Sequence, residues 1–412
     1  MKIAIISRGD GLTGGASRGA EELARWMIEA GHAVTHFCRE FRGTPAPFQQ
    51  RLYSGMGGTI AHYLNGAQKR LGYINAFPFE YYLKLRGMRD EFDLFHFHDL
   101  SSAVSYETVI QVSRHKPTVF TVHDCSAFTG GCTYPMGCKK YETKCEQCPQ
   151  LGQWPLGTKF DRTSFLQNQR RIAAASQGIQ YIFPSKWSKQ TMESAMSLTC
   201  PGLEICNAVG LAQLIPIDKK EARRKLGLPE NQPVILISPQ DLTYKRKGVA
   251  YGLEAVRQVA DLSPVLISTG HASQTLEFQI GNVPHTSYGD IHQHDRMALI
   301  YSAADVHLFP SLADNCPYSV LETMACGTAT IGFLTGGMPE IVISGETGLL
   351  VPTGDREQLA TAVRSALQDL TQTQIWGHQA RKRIENYFSK DLFVKKIEDT
   401  YVEFLKDWRP SI

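Results

Sequence analysis

The stretch FPSLADNCPYSVLETMACG, residues 309–327, carries two carboxylates eight positions apart, Asp314 and Glu322. Its pattern predicts a strand ending at Pro310, a polar loop, and a helix from about residue 319. Carboxylates so placed can accept hydrogen bonds from the hydroxyls of a ribose and a hexose. Asn315, Tyr318 and Ser319 fill the interval, where backbone N–H groups at a helix start suit a phosphate. The plainer reading is a capped helix with solvated carboxylates. Downstream, GGMPE at 336–340 is another flexible turn on the same side.

A second stretch, Tyr244-Lys245-Arg246-Lys247-Gly248, puts three cations between a strand and a helix start. The helix dipole disfavours cations there unless an anion neutralises them. A diphosphate is a natural partner, and arginine can grip it bidentately. The alternative is a solvated basic turn. Near the N-terminus, Gly11-Leu12-Thr13-Gly14-Gly15-Ala16 follows the first apolar run and opens a helix. Its glycines allow backbone N–H groups to approach an anion. It does not match G-x-G-x-x-G, so no dinucleotide fingerprint is met. It reads equally as a tight turn.

His123 ends an apolar run beside Asp124. Ligands gather at the carboxyl ends of parallel strands, so His123 is a candidate contact for a sugar hydroxyl. A structural histidine is the rival reading. No Asp-x-Asp pair occurs, so no catalytic divalent metal is expected.

Five of the ten cysteines lie between residues 123 and 150. Cys132, Cys138, Cys145 and Cys148 follow C-x5-C-x6-C-x2-C, a partial match to a closed four-thiolate zinc site. Structural zinc is the expectation. Reduced thiols are the alternative, and a disulfide would need an oxidising compartment. Cys125 and the five remaining cysteines have no partner at metal spacing.

Apolar runs alternate with helical patterns along the chain, which implies a parallel sheet. Strands are predicted at 2–7, 33–37, 94–98, 118–122 and 180–183, then at 234–238, 265–268, 306–309, 329–333 and 348–351. Helices are predicted at 17–29, 248–259, 295–302, 319–326 and 355–367. The 412 residues are 42% hydrophobic and 20% charged, with a net charge of +3, too small to suggest a nucleic-acid partner. The first apolar run is too short for a signal peptide and no run approaches a membrane span. The fold class expected is α/β: two doubly wound, Rossmann-like domains facing across a cleft. Residues 68–92 mix Tyr73, Phe77, Phe79, Tyr81 and Tyr82 with five Lys or Arg. They read either as a surface for an anionic membrane or as a core-covering helix with solvated cations. The second is preferred.

Together these features resemble retaining glycosyltransferases of family 4. Asp314 and Glu322 stand in the place of the family's Glu-x7-Glu motif, with aspartate for the first glutamate. YKRKG matches its Lys-Gly turn, YSAADVHLFPS its preceding helix and strand, and GLTGGASRGAEELARWMIEAGHAV its glycine loop and first helix. CNAVG is similar to its hinge, with alanine for glycine. The cysteine-rich loop after His-Asp is similar to that of some bacterial members. The resemblance implies a GT-B fold, with an acceptor-side domain at 1–210 carrying the loop 125–148. A nucleotide-sugar domain at 211–389 and a helix at 390–412 returning to the first domain complete it. It implies a hexosyltransferase using a nucleotide-diphosphate sugar as donor, with retained configuration. Arg246 and Lys247 would bind the diphosphate and Glu322 the ribose. Asp314 would contact the transferred sugar, His123 would lie near it, and Gly14 and Gly15 would close over the phosphates.

The partners expected are a nucleotide sugar and a glycan or lipid-linked acceptor, with peripheral contact to the inner face of a membrane. A cytoplasmic location and a role in surface polysaccharide or glycolipid assembly follow. Two other readings remain: a GT-B sugar-nucleotide epimerase, and a zinc-stabilised nucleic-acid-binding protein.

Overall fold

The computed structural model describes residues 1–98, 100, 104–271 and 280–410. The chain forms two units, Met1–Cys206 with Val394–Ile412, and Asn207–Phe393. Ser411 and Ile412, at the end of the expected C-terminal helix, lie outside the described residues.

The first unit contains seven strands: β1 (Lys2–Gly9), β2 (Ala33–Glu40), β3 (Gln49–Arg51), β4 (Leu94–Phe97), β5 (Thr118–Thr121), β6 (Ile179–Phe183) and β7 (Leu203–Glu204). They form one sheet in the order β3-β2-β1-β4-β5-β6-β7, and each neighbouring pair is parallel. The second unit contains β8 (Val234–Ile237), β9 (Val265–Ser268), β10 (His285–Ser287), β11 (Val306–Phe309), β12 (Ala329–Leu334) and β13 (Gly348–Pro352). Their order is β10-β9-β8-β11-β12-β13, again parallel.

The inner strands are near-continuous apolar runs because helices cover both faces of a parallel sheet. In β1, residues Ile3 to Ile6 are fully buried, as are all four residues of β8. The short strands β3, β7 and β10 lie toward the sheet edges and carry polar residues, so apolar periodicity does not reveal them. In the second unit Ile235, Leu308, Ile331 and Phe333 meet Leu253 and Val363 from the covering helices in one core. Asp305, buried just before β11, ties the helix Lys219–Leu226 to the sheet. It pairs with Lys219 at 2.7 Å and Arg223 at 2.5 Å, and accepts from the Val234 N–H at 2.8 Å.

Each sheet has one point where the strand order reverses, between β1 and β4 and between β8 and β11. Loops leaving neighbouring strands there part to opposite faces and leave a crevice at the carboxyl ends. The Gly11–Ala16 turn follows β1, His98 follows β4 and His123 follows β5. In the second unit, 244–248 follows β8 and 311–317 follows β11.

Residues 68–92 divide. Tyr81 and Leu85 are buried, as is Glu80, whose carboxylate accepts from Thr108 Oγ1 at 2.9 Å. Phe77 and Tyr82 are exposed. No helix among the described residues is long and apolar enough to cross a membrane.

Candidate active site

The cationic turn after β8 and the loop after β11 meet at the reversal of the second sheet. Residues Lys245–Lys247 form one 3-10 turn and Gly248 starts the helix Val249–Gln258. Gly248 has φ +63°, and a Cβ there would lie 1.9 Å from the carbonyl oxygen of Pro310. Only glycine permits this approach. Leu312 N–H donates to the Arg246 carbonyl at 2.8 Å, fastening the two loops together.

The side chains then converge. Lys247 Nζ lies 2.7 Å from Asp314 Oδ2, and Arg246 Nη1 lies 3.1 Å from the same oxygen. Ser311 Oγ donates to it as well, at 3.1 Å. Arg246 Nη1 also donates to the Ala313 carbonyl. Burial pushes the Asp314 carboxyl up, but Lys247 and Arg246 outweigh it and hold the group below the ordinary carboxylate range. Burial lowers Lys247, with Asp314 opposing. The anion that the basic turn requires is thus supplied, in this structure, by Asp314.

Asp314 is held from behind. Its carbonyl accepts from Gly337 N–H at 3.2 Å, and a Cβ on Gly336 would lie 1.7 Å from that oxygen. The GGMPE turn therefore packs directly on the Asp314 backbone. Asn315 is buried beside it. The helix Tyr318–Ala325 begins after Pro317, placing Tyr318 and Ser319 in its first turn. Glu322 is buried one turn in and accepts from Tyr301 Oη at 2.8 Å. Sequence reasoning missed Ser311 and Tyr301. Ser311 stands three residues from Asp314 and was legible as a neighbour. Tyr301 lies on the preceding helix, His294–Ala303, and opens the segment YSAADVHLFPS, whose pattern marks a helix and strand but not a contact with Glu322.

Gly14, Gly15 and His123 belong to the first unit. Gly14 is the extended N-cap of the helix Gly15–Glu29. The loop before it is organised by carboxylates. Asp10 accepts from the N–H groups of Arg42 and Gly43 at 2.9 and 2.7 Å, and Glu21 from Gly11 N–H at 2.7 Å. His123 Nε2 lies 2.9 Å from His98 Nδ1 with the rings stacked. Burial pushes His123 down to about 4 and His98 well below the usual histidine value. Both are neutral imidazoles at pH 7. Asp124 caps the following turn, accepting from Ser126 N–H at 2.8 Å. His98 was overlooked, although the strand-end rule that selects His123 selects it equally.

The zinc expectation is not supported. Cys132, Cys138, Cys145 and Cys148 do line one small pocket. Yet no group of three or more His, Cys, Asp or Glu among the described residues is arranged to hold a metal ion. Burial pushes the Cys132 thiol up to about 12 and raises Cys145 and Cys148. Cys145 Sγ instead accepts from Gly130 N–H at 3.2 Å. The loop is braced by the helix Thr163–Ala174. Gln167 accepts from Cys145 N–H at 2.8 Å and donates to the Tyr141 carbonyl at 2.7 Å. Buried Arg170 donates to the Ser126 carbonyl at 2.8 Å and lies over the Tyr106 ring.

Known proteins carry the same architecture. A family model described as Glycosyltransferase Family 4 matches residues 13–197, and one described as Glycosyl transferases group 1 matches residues 233–369. The chain belongs to this family of glycosyltransferases. It is 30% identical to a sulfoquinovosyl transferase of Arabidopsis thaliana over 44% of this chain and 36% of that protein. It is 24% identical to an N-acetyl-alpha-D-glucosaminyl L-malate synthase of Bacillus anthracis over half of that protein's length. The alignment with "Putative colanic acid biosynthesis glycosyl transferase WcaC" of Escherichia coli, at 24% identity, is longer, covering 71% of this chain and 74% of the relative. Among solved structures, the sucrose-phosphate synthase of Thermosynechococcus elongatus superposes with a TM-score of 0.73 at 21% identity, over 99% of this chain and all of that one. HepE of Anabaena, solved in complex with UDP-glucose, gives 0.68 at 15% identity over 98% of this chain and all of that one. The fold is GT-B. Family membership replaces the nucleic-acid reading.

Proposed function

We propose that this glycosyltransferase moves a hexose from a nucleotide-diphosphate sugar to an acceptor hydroxyl, with retained anomeric configuration, in surface polysaccharide or glycolipid assembly. The observation that carries the reading is the pairing of Lys247 and Arg246 on one oxygen of Asp314, at the sheet reversal. Two cations held on a buried carboxylate form a preorganised anion site. A donor diphosphate competes with Asp314 for them. As the sugar–phosphate bond breaks, charge grows on the leaving diphosphate, and fixed cations in a partly dry site stabilise it without reorganising. Asp314, released from that pairing, accepts from hydroxyls of the transferred sugar. Glu322, oriented by Tyr301, accepts from the ribose. Tyr318, Ser319 and Asn315 frame the same contacts at the helix start. His123, neutral, hydrogen-bonds a sugar hydroxyl, and the Gly14–Gly15 turn approaches phosphate through its backbone. Retention follows from attack on the face the diphosphate leaves, with a phosphate oxygen taking the acceptor proton.

Support for the donor class comes from the UDP-glucose complex of HepE, and for the pathway class from the colanic acid relative. Thermal denaturation with UDP-, GDP- and ADP-sugars tests the donor, since a ligand that binds only the native state raises the midpoint. One of them should protect wild type and fail to protect Lys247→Ala. Protection by none would overturn the proposal. Product analysis with donor alone separates transfer from epimerisation, because an epimer formed without acceptor would indicate the latter.

A further inference from the structure

His98 and His123 share a hydrogen bond between two neutral rings. His98 Nδ1 lies 2.9 Å from His123 Nε2, and the rings stack with centroids 5.1 Å apart. Burial keeps both from taking a second proton at pH 7. A neutral imidazole has one N–H and one bare nitrogen. One of the two facing nitrogens therefore carries the shared proton, and the other accepts it.

His98 decides which. Its ring is 2% exposed, and its second nitrogen, Nε2, is buried without a partner among the described residues. If His123 were the donor, the proton of His98 would sit on that Nε2, as a buried N–H with no acceptor. A buried N–H left without an acceptor is a rarer defect in folded proteins than an under-used acceptor. With His98 donating from Nδ1, its Nε2 keeps only an unused lone pair. The neighbours hold the ring in place. His98 N–H donates to the Ile6 carbonyl at 2.8 Å, and the His96 ring packs on it with centroids 4.2 Å apart. His96 is itself engaged at both nitrogens, with Tyr401 Oη at 2.6 Å from Nδ1 and Thr121 Oγ1 at 2.8 Å from Nε2. His123 thus accepts at Nε2, and its own proton falls on Nδ1. The bond made by one ring nitrogen sets the state of the other.

We propose that His98 is a positioning residue that locks His123 in its Nδ1–H tautomer, so that His123 meets the transferred sugar as a hydrogen-bond donor and not as a base. The second half rests on the reading that His123 contacts that sugar. With Nε2 occupied and Nδ1 protonated, neutral His123 has no lone pair left for the proton of an attacking hydroxyl. That proton then goes to another group, as it does when a phosphate oxygen of the leaving diphosphate takes it.

The test begins with nitrogen NMR of the full chain labelled at histidine, its signals assigned with His98→Phe and His123→Ala. His123 should show a protonated Nδ1 and a bare Nε2, and His98 a protonated Nδ1. The second arm follows nucleotide release with water as the acceptor, using whichever of UDP-, GDP- and ADP-glucose protects wild type in denaturation. His98→Phe keeps a ring in the stack but cannot donate, so kcat should fall about tenfold with KM nearly unchanged. His98→Asn places an amide N–H near the same point and should restore both the Nδ1–H signature of His123 and most of kcat. Loss of a merely structural residue would not be rescued in this way. His123 found with its proton on Nε2 in wild type would overturn the proposal, as would equal kcat values in His98→Phe and His98→Asn. The Nδ1–H tautomer together with full kcat in His123→Ala would overturn the sugar contact and leave the lock standing.

Discussion

Lys247 Nζ sits 2.7 Å from Asp314 Oδ2 across the reversal of the second sheet, and Ser311 holds the same oxygen. A cation and an anion 67 positions apart in the chain neutralise each other where a diphosphate is proposed to bind. Removing the anion should therefore be costly without ligand and less so with it. Asp314→Asn leaves the cations of a largely buried pair uncompensated, a loss of about 2–4 kcal/mol. UDP should raise the melting midpoint of this variant by more degrees than it raises that of wild type. An equal rise would show that the phosphate does not occupy the place of the carboxylate.

Glu322 depends on Tyr301. Tyr301→Phe removes the donor to Glu322 Oε2 and leaves a buried carboxylate short of a hydrogen bond, at about 1–2 kcal/mol. Calorimetry should show nucleotide affinity down about tenfold. Glu322→Ala should abolish binding under the same conditions. Unchanged affinity in Glu322→Ala would remove the ribose assignment.

Gly248 and Gly336 are close-approach sites with positive φ. Alanine at either must shift the backbone carbonyl it meets, Pro310 or Asp314 respectively. Each substitution should cost at least about 2 kcal/mol in urea unfolding. Gly248→Ala should also lower kcat more than it raises KM if the displaced cations act on the leaving diphosphate, as proposed.

The cysteine loop should answer to its helix brace. Gln167→Ala should speed amide exchange across residues 138–148 while exchange in β8 and β11 stays at the wild-type rate. Arg170→Lys should act similarly, since an ammonium cannot reproduce the planar fork.

Acid sensitivity follows from buried imidazoles. Burial holds His36 and His123 at about 4, and His96 and His307 at about 3. Their unfolded values lie near 6.5. Below that pH the unfolded chain binds protons that the folded chain refuses, so stability falls as pH drops from about 6.5 toward 4. The slope is up to about 1.4 kcal/mol per pH unit for each histidine. Asp314 adds a loss at lower pH, as its depressed carboxyl protonates. Denaturant midpoints between pH 7 and 4 measure this, and a flat profile would contradict it.

Much of the fold is legible in the chain because a parallel strand, buried on both faces, must be apolar. Val265–Ser268 and Val306–Phe309 occur at the bounds that their apolar runs indicate. The edge strands β3 and β10 are polar and escape that reasoning. The helix Gly55–Arg70 escapes it for a different reason. Its glycines at 55, 57, 58 and 66 lower helix propensity. The zinc expectation is not supported, because spacing reports how far apart thiols lie along the chain, while their arrangement depends on the hydrogen bonds that Gln167 and Thr163 make to the loop.

By itself the sequence determined the residue types at the site: two cations before Gly248, a carboxylate at 314, and another eight residues later. It determined the alternation of apolar runs and helices as well. Only the tertiary structure decided that Lys247 and Arg246 are neutralised by Asp314, that Tyr301 orients Glu322, and that His98 stands against His123. The physical reason is topological. Strand order selects which loops leave the sheet side by side, and long-range charge pairing follows from that order.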